Sequence, residues 1–294
     1  MRAEEGMEMA TWYMVTAPRG AEEWTTGLRY YWRDKDHGMY TSWPFPFKQR
    51  SMTKRDWERV IEENDCKRWI IAMEEGKGGY KHWQVRLESS NPDFFNWMKE
   101  QYPKAHVEKA EVQDFAYERK EGNFWTSEDT TEIRVCRFGE FRPWQSQLKK
   151  ELGKQSVREI DVVLDKKGNN GKTFFTIALW ERGEALVVPR YSCTPEKLSA
   201  FVCSSYKGES IVVIDIPRAN KPTDALYETM EEVKDGLVFD PRYSGKTKNI
   251  RGVKVVVFTN HELNLKLLSD DRWKLHGIDK DGNLTKRRRG ESFS

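Results

Sequence analysis

Four runs in the second half of the chain, "IDVVLD", "EALVVP", "SIVVIDI" and "GVKVVVFTN", are β-branched and apolar at consecutive positions. A strand that is wet on one face alternates apolar and polar residues. One that is apolar throughout is covered on both faces, as in parallel sheets flanked by helices. Helical segments lie among the four runs, so an α/β domain is expected from about Lys154 onward.

The first run leads into "KKGNNGKTFFTIALW", a Gly- and Asn-containing loop opening a helix. Backbone N–H groups of such a loop and of the helix N-terminus bind phosphate oxygens. Gly168, Asn169, Asn170 and Gly171 form the loop. Lys172 is expected to reach the β- and γ-phosphates of ATP, and Thr173 to hold Mg²⁺. The usual first Gly of this motif is replaced by Lys166, so the match is GKT with Gly168. Asp215 ends "SIVVID", where a carboxylate helps position Mg²⁺, and Asn260 ends "VVVFTN", where it can sense the γ-phosphate or hold the water. Ile216 follows Asp215 where many relatives of this motif carry a second acid, so no residue is assigned to orient water. Arg272, in "SDDRWKLHG", is a candidate arginine finger acting on a neighbouring subunit; a helix-surface role is the alternative.

The first half reads differently. "WYMVTA" reads as a first strand and "KRWIIAME" as another, with "HWQVRLES" as its antiparallel neighbour and the glycines of "EEGKGGYKH" making the turn between them. Helices are expected over "SMTKRDWERVIEEN", N-capped by Ser51 or Thr53, over "NPDFFNWMKEQYP", and over "EVQDFAYERKEG". This half is therefore an α+β domain. On the third strand Trp83, Val85 and Leu87 point to the core while His82 and Gln84 share the other face. That face is either simply solvated or a ligand pair. Glu74 and Glu75 end the neighbouring strand, and a carboxylate from the hairpin would complete a compact N/O site for Mg²⁺ or Mn²⁺. In the third helix Val112, Phe115 and Ala116 should be buried, with Tyr117 and Lys120 sharing the exposed face. A phenol ionises with a pKa of about 10, so a tyrosine nucleophile needs a metal and a nearby cation to act near neutrality. The joint lies in "CRFGEFRPWQSQLKKELGKQSVREI", where Pro143 opens a short helix through Leu152.

The ordered set "YMVTAP", "HWQ", "AYERKEG", "GNNGKT", "VVIDIPR" and "VVVFTN" resembles Rep, the replication initiator of small circular single-stranded DNA viruses. The flavour is closest to smacoviruses, with circoviruses and nanoviruses next, and the resemblance covers nearly the whole chain. It implies an α+β HUH endonuclease domain over residues 1–135 and a linker with a helical oligomerisation segment over 136–156. An α/β P-loop superfamily 3 helicase domain follows over 157–294. The family's metal ligands fall on His82, Gln84 and, by position before Gly76, Glu75. Its nucleophile falls on Tyr117 and its accompanying lysine on Lys120. The Gln at position 84 departs from the common His-x-His, as circovirus proteins do. Lys246 and Lys248, in "RYSGKTKN", fall where this helicase class places its DNA-contacting loop. The partners implied are single-stranded and origin-hairpin DNA and further copies of the chain in a ring, a hexamer. The alternatives are an ATP-dependent translocase whose first domain binds DNA without nicking it, or a plasmid-borne or integrated initiator of the same chemistry.

Net charge is only +3, so DNA binding rests on local clusters such as "LTKRRRG" rather than on a polycationic whole. Cys66, Cys136, Cys193 and Cys203 show no CxxC pair, which argues against a zinc site and fits reduced thiols. No run is long and apolar enough to cross a bilayer. The start "MRAEEGMEMATWYMV" lacks a signal peptide's basic start and apolar run. An intracellular protein is expected, nuclear in a eukaryotic host and otherwise cytoplasmic.

Overall fold

A computed structural model describes residues 10–19, 23–26, 31–33, 40–42, 46–49, 51–189, 195–219, 222–242 and 245–287 of the 294. The chain divides into two compact units, Met1–Asp129 and Thr130–Ser294. Among the described residues no helix is long and apolar enough to cross a membrane.

The first unit is built on β1 (Thr11–Pro18), β6 (Cys66–Glu75), β7 (Lys81–Ser89), β8 (His106–Lys109) and β9 (Phe124–Thr126). They form a five-stranded antiparallel sheet in the order β8-β1-β7-β6-β9. Two short antiparallel pairs stand apart from it: β2 (Glu23–Thr26) with β5 (Pro46–Gln49), and β3 (Tyr31–Arg33) with β4 (Tyr40–Ser42). Helices α1 (Lys54–Glu63) and α2 (Phe94–Gln101) cover one face, burying Trp57, Val60, Phe94 and Met98 against Val15, Ile71, Trp83, Val85 and Leu87. Each such side chain contributes about 2 kcal/mol by leaving water. Thr53 caps α1 in a reciprocal box with Asp56, which settles the choice between Ser51 and Thr53. The strand alternation places Trp83, Val85 and Leu87 in this core as expected. It leaves His82, Gln84 and Arg86 on the opposite face.

The expected helix over "EVQDFAYERKEG" does not form; residues 116–121 are a succession of turns. The cause lies in two local hydrogen bonds. Val112 O, which a helix would offer to the Ala116 N–H, accepts from Arg86 Nη1. The Ala116 N–H goes instead to the Asp114 carboxylate at 2.9 Å. Val112 and Ala116 are exposed rather than buried, and the segment is anchored by Phe115 and Glu118.

The second unit holds a six-stranded sheet of β10 (Ile160–Leu164), β11 (Ala185–Val188), β12 (Ile211–Asp215), β15 (Lys254–Thr259), β16 (Trp273–Ile278) and β17 (Leu284–Lys286). The order is β11-β12-β15-β10-β16-β17, parallel except for β17. Val163, Val213 and Val256 pack under α4 (Pro143–Gly153) and α5 (Lys172–Glu181). Their neighbours Val162, Val212, Val255 and Val257 pack under α6 (Pro195–Ser205) and α7 (Asp224–Asp235). Both faces are covered, which is why the strands are apolar throughout. The segment 136–156, expected as a linker, belongs to this unit: α3 (Thr131–Phe138) packs on α5, and α4 buries Trp144, Leu148 and Leu152 in its core. An antiparallel hairpin of β13 (Leu237–Asp240) and β14 (Lys246–Asn249) completes the unit.

Candidate functional site

In the first unit the sheet face opposite α1 and α2 carries a polar row. Glu74 stands directly across from His82 in the β6–β7 register, and Gln84 across from Thr16 in the β1–β7 register. Glu74 is only 4% exposed, and its Oε2 lies 3.6 Å from His82 Nε2 and 2.7 Å from Lys120 Nζ. The Lys120 ammonium sits 3.8 Å from the centroid of the Tyr117 ring. Burial works against its charge, but hydrogen bonds with Glu74 and Tyr117 outweigh burial and hold it above the ordinary lysine range. Tyr117 itself is 55% exposed. Four side chains thus touch in series, Tyr117 to Lys120 to Glu74 to His82.

His82 Nδ1 faces the Tyr80 carbonyl at 3.3 Å. A carbonyl only accepts, so this contact calls for a proton on Nδ1, and Nε2 is the ring nitrogen that faces Glu74. The Tyr80 ring stacks on the imidazole, 5.4 Å between centroids and 14° apart. Gln84 Oε1 accepts from the Thr16 hydroxyl at 2.8 Å, which fixes the amide and leaves that oxygen a second lone pair.

Glu75 is a correction to the expected ligand set. It pairs across the strands with Lys81, is about half exposed, and alternation turns it away from the face that holds His82 and Gln84. Glu74 is the carboxylate beside them. Its Oε1 is buried without a hydrogen-bond partner, an acceptor that burial makes costly unless something fills it. One imidazole nitrogen, one amide oxygen and one carboxylate oxygen are donors of the kind Mg²⁺ or Mn²⁺ accepts, so these residues fit a divalent cation. Among the described residues no three His, Cys, Asp or Glu side chains gather at one point; here the third donor is an amide.

In the second unit the loop between β10 and α5 curls through left-handed backbone at Gly168, Asn169 and Gly171, with φ of 75°, 62° and 84°. Such a curl turns successive N–H groups toward one centre. The Asp165 carboxylate collects donors that a phosphate would take: the Gly168 N–H at 2.8 Å, Asn170 Nδ2 at 2.9 Å and Lys172 Nζ at 2.6 Å. Burial opposes its ionisation, but these bonds prevail and hold the carboxyl below its ordinary range. The α4 side chains brace the loop, Trp144 Nε1 donating to Asn170 O and Gln145 Nε2 to Gly171 O, each at 2.9 Å. Lys172, Thr173, Asp215, Asn260 and Arg218 line one cavity of 350 Å³. That lies within the range of about 300–1,000 Å³ usual for ligand sites. Asn260 Nδ2 also donates to Asp165 O.

Comparison with known proteins finds relatives over part of the chain. A master replication protein of banana bunchy top virus is 32% identical over 136 residues, 46% of this chain and 45% of its own length. One of subterranean clover stunt virus is 25% identical over 131 residues, 45% of this chain and 43% of its own. The chain is similar to viral master replication proteins. Para-Rep C10 of the milk vetch dwarf C10 alphasatellite is 27% identical over 139 residues, 46% of this chain and 48% of its own. No family model matches. The chain spans a little under half the length of the curated relatives it matches, whereas the motifs alone suggested a likeness along nearly all of it.

Two further expectations meet a different geometry. Arg272, expected as an arginine finger, is buried and tied to its own chain through Glu231 and Asp235, each at 2.9 Å. Of the two hairpin lysines proposed for DNA, Lys246 is exposed, but Lys248 Nζ donates to Tyr206 O at 2.9 Å at the end of α6. Sequence reasoning also missed Arg86. Its Nε reaches the buried Glu118 carboxylate at 2.9 Å and so pins the Tyr117 turn over the polar row. An Arg two positions beyond Gln84, on the same strand face, was the available signal.

Proposed function

We propose that the protein is a rolling-circle replication initiator. Its first unit nicks and rejoins single-stranded origin DNA, and its second hydrolyses ATP to move DNA as a helicase within a ring, a hexamer. The observation that carries this reading is the series Tyr117, Lys120, Glu74 and His82 within one unit. It is supported by the likeness to master replication proteins and by the phosphate-type loop in the other unit.

Tyr117 is the nucleophile. Its exposed ring leaves the hydroxyl accessible to a backbone phosphate. The phenolic proton passes to solvent, a bond forms between the tyrosine oxygen and phosphorus, and the bond from phosphorus to the 3′ oxygen breaks. A 5′-phosphotyrosine and, after protonation, a free 3′-OH result. Rejoining reverses the exchange and needs no ATP, because the bond energy stays in the phosphotyrosine. Lys120, held protonated, stabilises the developing phenolate rather than acting as a base. Glu74 keeps that ammonium in place. His82, Gln84 and Glu74 would hold Mg²⁺ or Mn²⁺, which when bound polarises the scissile phosphate. In the second unit Lys172 and the loop amides bind the phosphates of ATP, with Thr173 and Asp215 on the Mg²⁺ side and Asn260 beside the γ-phosphate.

The test is to incubate the full chain with single-stranded DNA carrying its replicon's origin hairpin, with Mn²⁺, and to look for a covalent protein–DNA adduct. Adduct on Tyr117 is expected. A chain that binds and translocates DNA on ATP without any adduct would be the non-nicking translocase.

A further inference from the structure

Arg272 is buried in ion pairs, and the cations that line the nucleotide cavity are Lys172 and Arg218. One guanidinium lines it, that of Arg218. Two residues beyond Asp215 comes Pro217, and the chain turns at Arg218. His261 Nε2 bonds the Arg218 carbonyl at 2.6 Å, fixing the backbone on the cavity side of β15. The side chain then lies across the phosphate-type loop, Nη2 donating to Lys167 O at 2.9 Å. It rests on Gly168: a Cβ built there would fall 2.1 Å from Arg218 Nη2 and 3.8 Å from Asn260 Nδ2. The φ of 75° at Gly168 favours glycine, and the absence of a Cβ there lets the guanidinium lie against the loop. Among the described residues the Lys167 carbonyl is the only hydrogen-bond partner of this exposed group, so its other N–H donors remain available to an anion. Arg142 also packs on the loop, at Gly171, but does not line the cavity.

We infer that Arg218 is a catalytic residue of the ATPase, a guanidinium supplied in cis that stabilises charge on the transferring γ-phosphoryl group. This deepens the nucleotide-site reading above and rests on it. Arg218 enters from the end of the strand that carries Asp215, beside Asn260, so the Mg²⁺-side carboxylate, the sensing amide and the cation converge from one chain. A neighbouring subunit then need not complete the site.

The test compares ATP turnover and ATP affinity of the full chain with those of Arg218→Ala, Arg218→Lys and Lys172→Ala. Transition-state stabilisation by a guanidinium predicts that Arg218→Ala loses about 10³-fold in kcat with ATP affinity nearly unchanged. Retained affinity also reports an intact fold. Arg218→Lys should recover little, because an ammonium lacks the planar fork. Retained kcat in Arg218→Ala, or a kcat preserved with affinity lost, overturns the proposal. Mixing Arg218→Ala with Lys172→Ala chains should recover no turnover, since each site needs both residues from one chain; recovery overturns the cis assignment. If the unaltered chain hydrolyses no ATP, or Lys172→Ala hydrolyses it normally, the nucleotide-site reading itself fails.

Discussion

Lys120 Nζ lies 2.7 Å from Glu74 Oε2, while the neighbouring Glu75 meets Lys81 at 3.9 Å and is half exposed. Adjacent acids on one strand thus have separate environments, because successive residues face opposite sides of a sheet. Glu74→Gln should stop nicking in Mg²⁺, and Glu75→Gln should leave it within about twofold. Gel assay of origin cleavage by both variants checks this. His82→Ala should behave like Glu74→Gln, with partial return at high Mn²⁺, and EDTA should stop the unaltered chain. Cleavage lost in Glu75→Gln but kept in Glu74→Gln would reverse the assignment.

Tyr117→Phe removes one oxygen from an exposed ring and keeps the ring under Lys120. Folding, DNA binding and ATP turnover should be unchanged, and the covalent adduct should disappear. Mass spectrometry of the protein after incubation with origin DNA reads the outcome directly. An adduct that survives at another residue would remove Tyr117 from the chemistry.

Much of this was legible in the residues. The continuous β-branched runs of the second unit signalled strands covered on both faces, and the helices on either side of that sheet account for the pattern. The alternation around Trp83, Val85 and Leu87 also placed His82 and Gln84 correctly on one face. What failed depended on contacts between distant residues. The helix expected around Tyr117 is lost to Arg86, more than two dozen positions away, which takes the Val112 carbonyl. The choice of Glu75 over Glu74 followed position before a glycine rather than the strand parity that decides it. Arg272 has the composition of a finger, and only tertiary packing reveals Glu231 and Asp235 around it.

The nick and the ATPase draw on different units, so they should separate. Lys172 Nζ now pairs with Asp165 at 2.6 Å, and Lys172→Ala leaves that buried acid without its ammonium while removing the phosphate ligand. ATP turnover and unwinding should be eliminated. Nicking of a single-stranded origin should persist at the unaltered rate, because that exchange uses no ATP. Parallel loss of both activities would mean that the units do not act independently.

Arg272 now carries a prediction about stability rather than catalysis. Its guanidinium reaches two carboxylates that are themselves about half exposed, so removal leaves acids that water can solvate. Arg272→Ala should lower stability by about 2 kcal/mol, the scale of a lost hydrogen bond to a charged group. ATP turnover of the folded variant should be near normal. Urea denaturation and steady-state turnover together check it, and a turnover loss of about 10³-fold at unchanged stability would restore the finger.

A pH dependence follows from Lys234, which is 1% exposed in the second unit. Its ammonium donates to Gln155 Oε1 at 2.6 Å and Val253 O at 3.1 Å. Burial, with the nearby charge of Lys254, lowers its pKa from 10.5 to about 8, against the pull of Asp161 and Glu159. The folded chain therefore releases this proton at a lower pH than the unfolded chain. Between about pH 8 and 10.5 the unfolded state holds more protons, so stability through this group rises with pH across that window. Below the window the cost of the buried charge is complete; above it the cost is gone. Lys234→Met has no such group and loses the two hydrogen bonds at every pH. The Tm of the unaltered chain minus that of Lys234→Met should therefore climb by a few degrees from pH 8 to 10.5, with other titrations cancelling in the difference. A difference that stays flat would mean that Lys234 keeps its proton as readily folded as unfolded, its hydrogen bonds fully offsetting burial.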